Sequence, residues 1–312
     1  MPEITASLVK QLREQTGAGM MDCKRALTEV GGSIDSAIDW LRKKGLAAAA
    51  KKAGRVASEG LIAVSTSDLV GAVVEVNSET DFVARNEEFQ KFAQNLANLA
   101  IKVNGDLDNL KGSEFPGTGA TVAEASVAMV GRIGENIVLR RSCALGVEAG
   151  VVASYTHNSV GEGLGKIGVL VGLESSGDPK VLDKLGRKIA MHVCAARPES
   201  IDRDGLDPSL LQRERDILVE QAKNSGKSPD IIDKMVEGRL RKFYEEVVLG
   251  EQIYVIDGEN KVEKVIEVAS KEINAPIRVS GFMRFELGEG IEKPGKIVSG
   301  QVASQPRSGD EA

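Results

Sequence analysis

One pattern occurs twice in this chain, and it limits the fold more than any single motif does. GLIAVSTSDLVGAVVEVNSETD (60–81) reads as two strand-like apolar runs around a short polar turn, followed by the helical stripe EEFQKFAQNLANLA. GVVASYTHNSVGEGLGKIGVLVGLESS (150–176) repeats the two runs around a polar loop, and PKVLDKLGRKIAMHV follows. Phe89, Phe92, Leu96 and Leu99 share one face of the first helix; Leu182, Leu185, Ile189 and Val193 share that of the second. A hairpin with a helix across one sheet face is an α+β unit. The chain is therefore predicted to be α+β, with two related subdomains of antiparallel sheet and packed helices.

The remaining text fits around that repeat. Residues 4 to 45 carry three short helical periods, marked by Leu8, Val9 and Leu12, then Met21, Ala26, Leu27 and Val30, then Ile34, Ile38 and Leu41. Ser33 suits an N-cap, Asp35 the first turn, and Gly45 a helix end. LAAAAKKAGR (46–55) is Ala-rich and basic, and reads as a short helical linker. Val122, Ala125, Met129 and Ile133 form a further helical stripe, and NIVLRRSCAL a further strand. Two helical runs, 209–224 and 230–248, flank SGKSP; Ile232, Val236, Leu240, Phe243 and Val247 keep a coiled-coil spacing. QIYVI and IRVSGFMRFEL read as strands on either side of the helix KVEKVIEVASKEI. The predicted organisation is a three-helix domain over 1–45, a linker over 46–59 and a core subdomain over 60–145. A second subdomain takes 146–200 and 250–298, interrupted by an antiparallel αα-hairpin over 201–249, and residues 299–312 form a disordered tail.

Composition narrows the chemistry. Only two histidines, His157 and His192, and three widely spaced cysteines are present. That leaves no metal-ligand cluster and no hydrolytic triad with a nucleophile elbow. The cysteines show no CxxC and suit a reducing compartment; no apolar run could span a bilayer, so a cytoplasmic protein without membrane attachment is expected. The net charge of −6 gives no general pull toward nucleic acid, and no specific nucleic-acid partner is expected; Arg42, Lys43, Lys44 and the linker make a basic patch that reads first as a solvated linker face and only second as a contact for RNA or an acidic protein. Gly163, Gly165 and Gly168 match GxGxxG, but GVLVGL follows where the dinucleotide fingerprint needs a helix, so a glycine-rich hairpin loop is the better reading. No cofactor is predicted. His192, in AMHVCAA, reads as a packed helix histidine, and His157, in YTHNS, as an exposed loop residue. Of the adjacent Met20 and Met21, one is expected in the bundle core and one at a partner.

Phe82 is the oddity. In SETDFVARN it stands where the strand alternation ends, between Asp81 and Val83. Either it folds back on the following helix as a hydrophobic staple, or it is an aromatic anchor on a rigid hairpin end.

VNSETDFVARN, RIGENIVLRR, KIGVLV, IAMHVCA, MVEGRLRKF and GFMRFELGEGIEK occur here in one order, after EITASLVKQLREQTGAGMMDCKRAL. In that order they resemble bacterial elongation factor Ts, the nucleotide-exchange factor of the translational GTPase elongation factor Tu. The resemblance implies that Thr80, Asp81, Phe82 and Val83 dislodge Mg²⁺ from the GTPase, the ring wedging near the metal site. It also implies partner contacts at Met20, Met21, Ile133, Gly134 and His157, a ubiquitin-associated-like N-terminal bundle and a partner-contacting coiled coil. Work of this kind needs no acid, base or nucleophile, so an enzyme active site is not expected. A homodimer within a two-to-two complex and a single copy are both compatible with the family. The loop HNSVGEGLGK is longer than in many members. A ribosome- or RNA-associated module and a nucleotide-dependent oxidoreductase are the competing classes.

Overall fold

The computed structural model describes residues 4–16, 18–223 and 228–292. The predicted tail 299–312, the segment from 293 onward and Gly17 lie outside the described residues.

The first three helices, α1 (Ala6–Thr16), α2 (Met20–Glu29) and α3 (Ile34–Lys52), close over Val9, Leu12, Cys23, Ala26, Leu27 and Ala37. Cys23, Ala26 and Leu27 take the inward face of α2, which leaves both methionines outside; the expectation that one of them enters the core is wrong. Ser33 caps α3 by accepting the Ser36 N–H at 3.3 Å. The helix passes Gly45 and continues through the basic alanine segment to Lys52, so the predicted stop is also wrong. The four alanines after Leu46 are strong helix formers, and Ala49 packs against the core of the next unit.

Strands β1 (Glu59–Ser67) and β2 (Val70–Ser78) form the first hairpin, followed by α4 (Glu87–Lys102). The short helix α5 (Leu107–Gly112), then α6 (Val122–Ile133) and β3 (Val138–Gly146), complete the first copy. The second copy runs β4 (Gly150–His157), the two-residue β5 (Leu164–Gly165), β6 (Ile167–Glu174) and α7 (Pro179–Ala196). Helices α8 (Pro208–Lys223) and α9 (Pro229–Val247) interrupt it, burying Leu218, Ala222, Val236 and Leu240 between them. Then α10 (Val262–Glu272) and β7 (Arg278–Glu286) close the copy. The sheet orders are β3-β2-β1-β5 and β4-β6-β7, with every pairing antiparallel.

The two copies match in detail. A tight turn precedes the last helix of each, closed by Phe115 N–H to Ala120 O at 2.7 Å and by Tyr254 N–H to Asn260 O at 2.8 Å. Each last strand carries one extra residue in its pairing, Arg140 opposite Glu75/Val76 of β2 and Ser280 opposite Gly172/Leu173 of β6. QIYVI belongs to the second turn and is not a strand. Its strand-like pairing is limited to an isolated bridge between Ile253 and Lys261, while Ile253, Val255 and Ile256 stay exposed.

Helices α4 and α7 cover the outer faces of the two sheets, and the inner faces meet. Ile62, Val64 and Val73 of the first sheet pack on Val152 and Leu170 of the second. Strand β2 is thus buried on both faces, and that brings Glu75 inside with no exposed surface. Its carboxylate is satisfied by Arg140 at 3.0 Å, by Arg141, by the Asn77 amide at 3.0 Å and by the Gly288 N–H at 2.8 Å. The end of β7 and the residues after it are held there too, since Arg141 also reaches Glu286 O and Arg140 reaches Glu289 O. Among the described residues no helix is long and apolar enough to cross a membrane.

Candidate functional site

The stretch that ends β2 turns away from the sheet at Ser78, whose hydroxyl donates to Thr80 O at 2.9 Å. A single 3₁₀ turn, Val83–Arg85, then leads into α4, capped by Asn86 Oδ1 accepting from Glu88 N–H at 2.9 Å and Phe89 N–H at 3.1 Å. Val83 and Ala84 face inward and join the core beneath α4. Phe82 faces outward and is 74% exposed. A ring so exposed is not stapling α4; Asn86 and the buried Val83 and Ala84 do the anchoring. Asp81 beside it is exposed as well.

The loop after α6 grips this turn. Gly134 adopts φ 83° at the helix end, which lets the chain reverse without a Cβ clash. The next residue, Glu135, accepts from Thr80 N–H at 2.9 Å and from Thr80 Oγ1 at 2.6 Å, one carboxylate oxygen each. Glu79 returns the grip by accepting from Asn136 N–H at 2.7 Å, and Asn136 Nδ2 donates to Arg55 O at 2.9 Å. Ile133 is half-buried against the core, whereas Gly134 is exposed. RIGENI stood out in the sequence, but its Glu135 did not; only a carboxylate directly after a helix-ending glycine could have hinted at it.

The same helix α6 carries the N-terminal bundle. Arg132 donates to Thr16 O at the end of α1, and Arg42 pairs with Glu124. Met20 and Met21, at the start of α2, are 59% and 69% exposed. His157 lies at the exposed end of β4, its Nδ1 3.0 Å from the Tyr155 hydroxyl. Its carbonyl accepts the Lys166 N–H, and the Lys166 ammonium reaches Glu59, the residue paired with Ser78. The segments carrying Met20, Gly134, Phe82 and His157 are therefore linked through Arg132, Glu135 and Lys166.

A protein-family model described as elongation factor TS matches residues 79–289, beginning at this turn. The chain belongs to the elongation factor Ts family. It is 61% identical over 306 residues to elongation factor Ts of Rhodospirillum rubrum, covering 98% of this chain and 99% of that protein. Elongation factor Ts of Rhodospirillum centenum is 58% identical over 304 residues, covering 97% and 99%, and that of Parvibaculum lavamentivorans 57% over 307 residues, covering 98% and 100%.

In this chain the glycine-rich loop is structural. Gly163, at φ +67°, would place a Cβ 2.4 Å from Val64 O, and the Val64 N–H donates to Gly163 O at 2.7 Å. A strand follows, not a helix, so the phosphate-binding geometry of a dinucleotide fold is missing there. His192 is fully buried in α7, with Nε2 2.9 Å from Gln252 Oε1 and Nδ1 accepting the Val255 N–H at 3.2 Å. Burial lowers its pKa, against the opposing hydrogen bond to Gln252. It is a satisfied core histidine, as its helix context predicted.

Proposed function

We propose that this chain is a cytoplasmic guanine-nucleotide exchange factor that binds elongation factor Tu carrying GDP, displaces its Mg²⁺ and promotes GDP release. Membership of the elongation factor Ts family points to that partner, and one observation carries the mechanism: an exposed aromatic ring on a turn clamped at both ends. Exchange needs a tighter grip on the emptied partner than on the loaded one, and the coupling is reciprocal. A hundredfold weakening of nucleotide corresponds to about 2.7 kcal/mol, and burying one phenylalanine supplies roughly 1.5–3 kcal/mol. Mg²⁺ demands near-octahedral geometry, so a ring inserted beside its ligands loosens the diphosphate it bridges.

On this reading Thr80 and Asp81 present the ring and meet the partner, while Val83 serves from beneath as the anchor. Met20, Met21, Ile133, Gly134 and His157 provide the flanking contacts, the first three helices act as a ubiquitin-associated-like docking module, and α8 with α9 forms an antiparallel coiled-coil arm toward the partner. The test is release of a fluorescent GDP analogue from purified elongation factor Tu. Acceleration by substoichiometric amounts of the full chain is expected; an unchanged rate ends this reading.

A further inference from the structure

What aims Phe82 is a separate question from what Phe82 does. Its ring is largely free of its own subunit, so its direction is set by the backbone of residues 80–82. Behind it, Val83 and Ala84 pin the turn to the core. In front of it, the Ser78 hydroxyl makes a bond local to the same segment. The Glu135 carboxylate, 55 positions away in the chain, also bonds Thr80. It does so with both carboxylate oxygens, one to a backbone N–H and one to a hydroxyl, which fixes two directions at once.

We propose that Glu135 is a positioning residue for exchange: by holding Thr80 through two hydrogen bonds it sets the angle at which Phe82 leaves the surface. The inference rests on the functional reading above. The grip has a mirror in Glu79, whose carboxylate takes the Asn136 N–H, so the two loops fix each other. Because Gly134, at positive φ, turns the chain immediately before Glu135, the end of α6 and the exchange turn share one pivot. The N-terminal bundle reaches that pivot as well, through Arg132 and Thr16. A partner that presses on the bundle thereby acts on the aim of the ring. Positioning of this sort is worth a great deal when a group must enter a narrow space, since displacement by about 1 Å can cost on the order of a hundredfold.

The test is GDP release from elongation factor Tu loaded with a fluorescent GDP analogue, using the full chain as wild type, Glu135→Ala, Glu135→Gln, Phe82→Ala and the Glu135→Ala/Phe82→Ala double variant. Glu135→Ala is expected to slow the accelerated release by roughly tenfold or more. Glu135→Gln, which keeps one oxygen to accept from Thr80, should fall between alanine and wild type. The double variant should be no slower than Phe82→Ala alone, since there is no ring left to aim; a merely structural loss would multiply instead. Circular dichroism checks that each variant is folded, and if Glu135→Ala is not, Thr80→Val and Glu135→Gln carry the same cycle. Glu135→Ala within about twofold of wild type, or effects that multiply in the double variant, overturn this inference alone, provided Phe82→Ala is slow. A wild-type chain that leaves release unchanged overturns the functional reading and this inference with it.

Discussion

Truncating Phe82 to alanine separates the ring's two roles, because the structure fixes how much of it is already spent on folding. The residue is 74% exposed, so about a quarter of its surface is covered within the subunit. Full burial of a phenylalanine is worth roughly 1.5–3 kcal/mol, which leaves about 0.4–0.8 kcal/mol for folding and about 1.1–2.2 kcal/mol for a partner. Converted to rates, the second figure is a loss of about six- to fortyfold in stimulated GDP release. The assay is stopped-flow release of a fluorescent GDP analogue from elongation factor Tu, run beside thermal unfolding of the variant alone. The unfolding midpoint should move by a few degrees at most, while release slows by the stated factor. If the variant melts far lower yet exchanges normally in its folded fraction, the ring is an internal support and the wedge argument is refuted.

Three further outcomes follow from the rest of the molecule. Glu75→Leu leaves Arg140, Arg141 and the Gly288 N–H short of an acceptor inside the sandwich, and should cost on the order of 3–5 kcal/mol in urea unfolding; a cost below about 1 kcal/mol would mean the carboxylate is dispensable. Gly45→Ala should stabilise α3 by about 0.5–1 kcal/mol, because a Cβ there meets nothing and the backbone is helical, whereas a helix ending at that glycine would be harmed. His192 stays neutral in the fold, since burial lowers its pKa, whereas the unfolded imidazole takes up a proton near pH 6.5. Unfolding therefore gains protons as the pH drops, so its contribution is full above about pH 6.5 and is lost as the pH falls below that. Denaturation midpoints measured across that range should decline for the wild type and flatten for His192→Gln.

The sequence was most legible where structure is local. The stripes Phe89, Phe92, Leu96, Leu99 and Leu182, Ile189, Val193 face inward as their spacing predicts, because helical periodicity depends on near neighbours. The Ser33 cap and the strand after GxGxxG are local for the same reason. Misreadings came where the deciding partner is distant in the chain. Neither Met20 nor Met21 enters the core expected to take one of them, because Cys23, Ala26 and Leu27 line the inward face of α2 once α1 and α3 close over it. QIYVI has the composition of a strand but joins neither sheet, and Asp257 instead supports a turn by accepting from Glu259 N–H and Asn260 N–H.

The candidate site divides the same way. From the text alone come an aromatic residue out of pattern at the end of a strand, its polar neighbours, and a family whose order of motifs the chain shares. The duplicated hairpin-and-helix unit is also determined by sequence, since each copy carries its own periodicities. Tertiary structure alone decided that the two sheets stack face to face and bury Glu75, that Phe82 stays outside, and that Glu135 grips Thr80. Those features join residues tens to hundreds of positions apart, and local spacing carries no record of such a meeting; it exists only after the chain has closed.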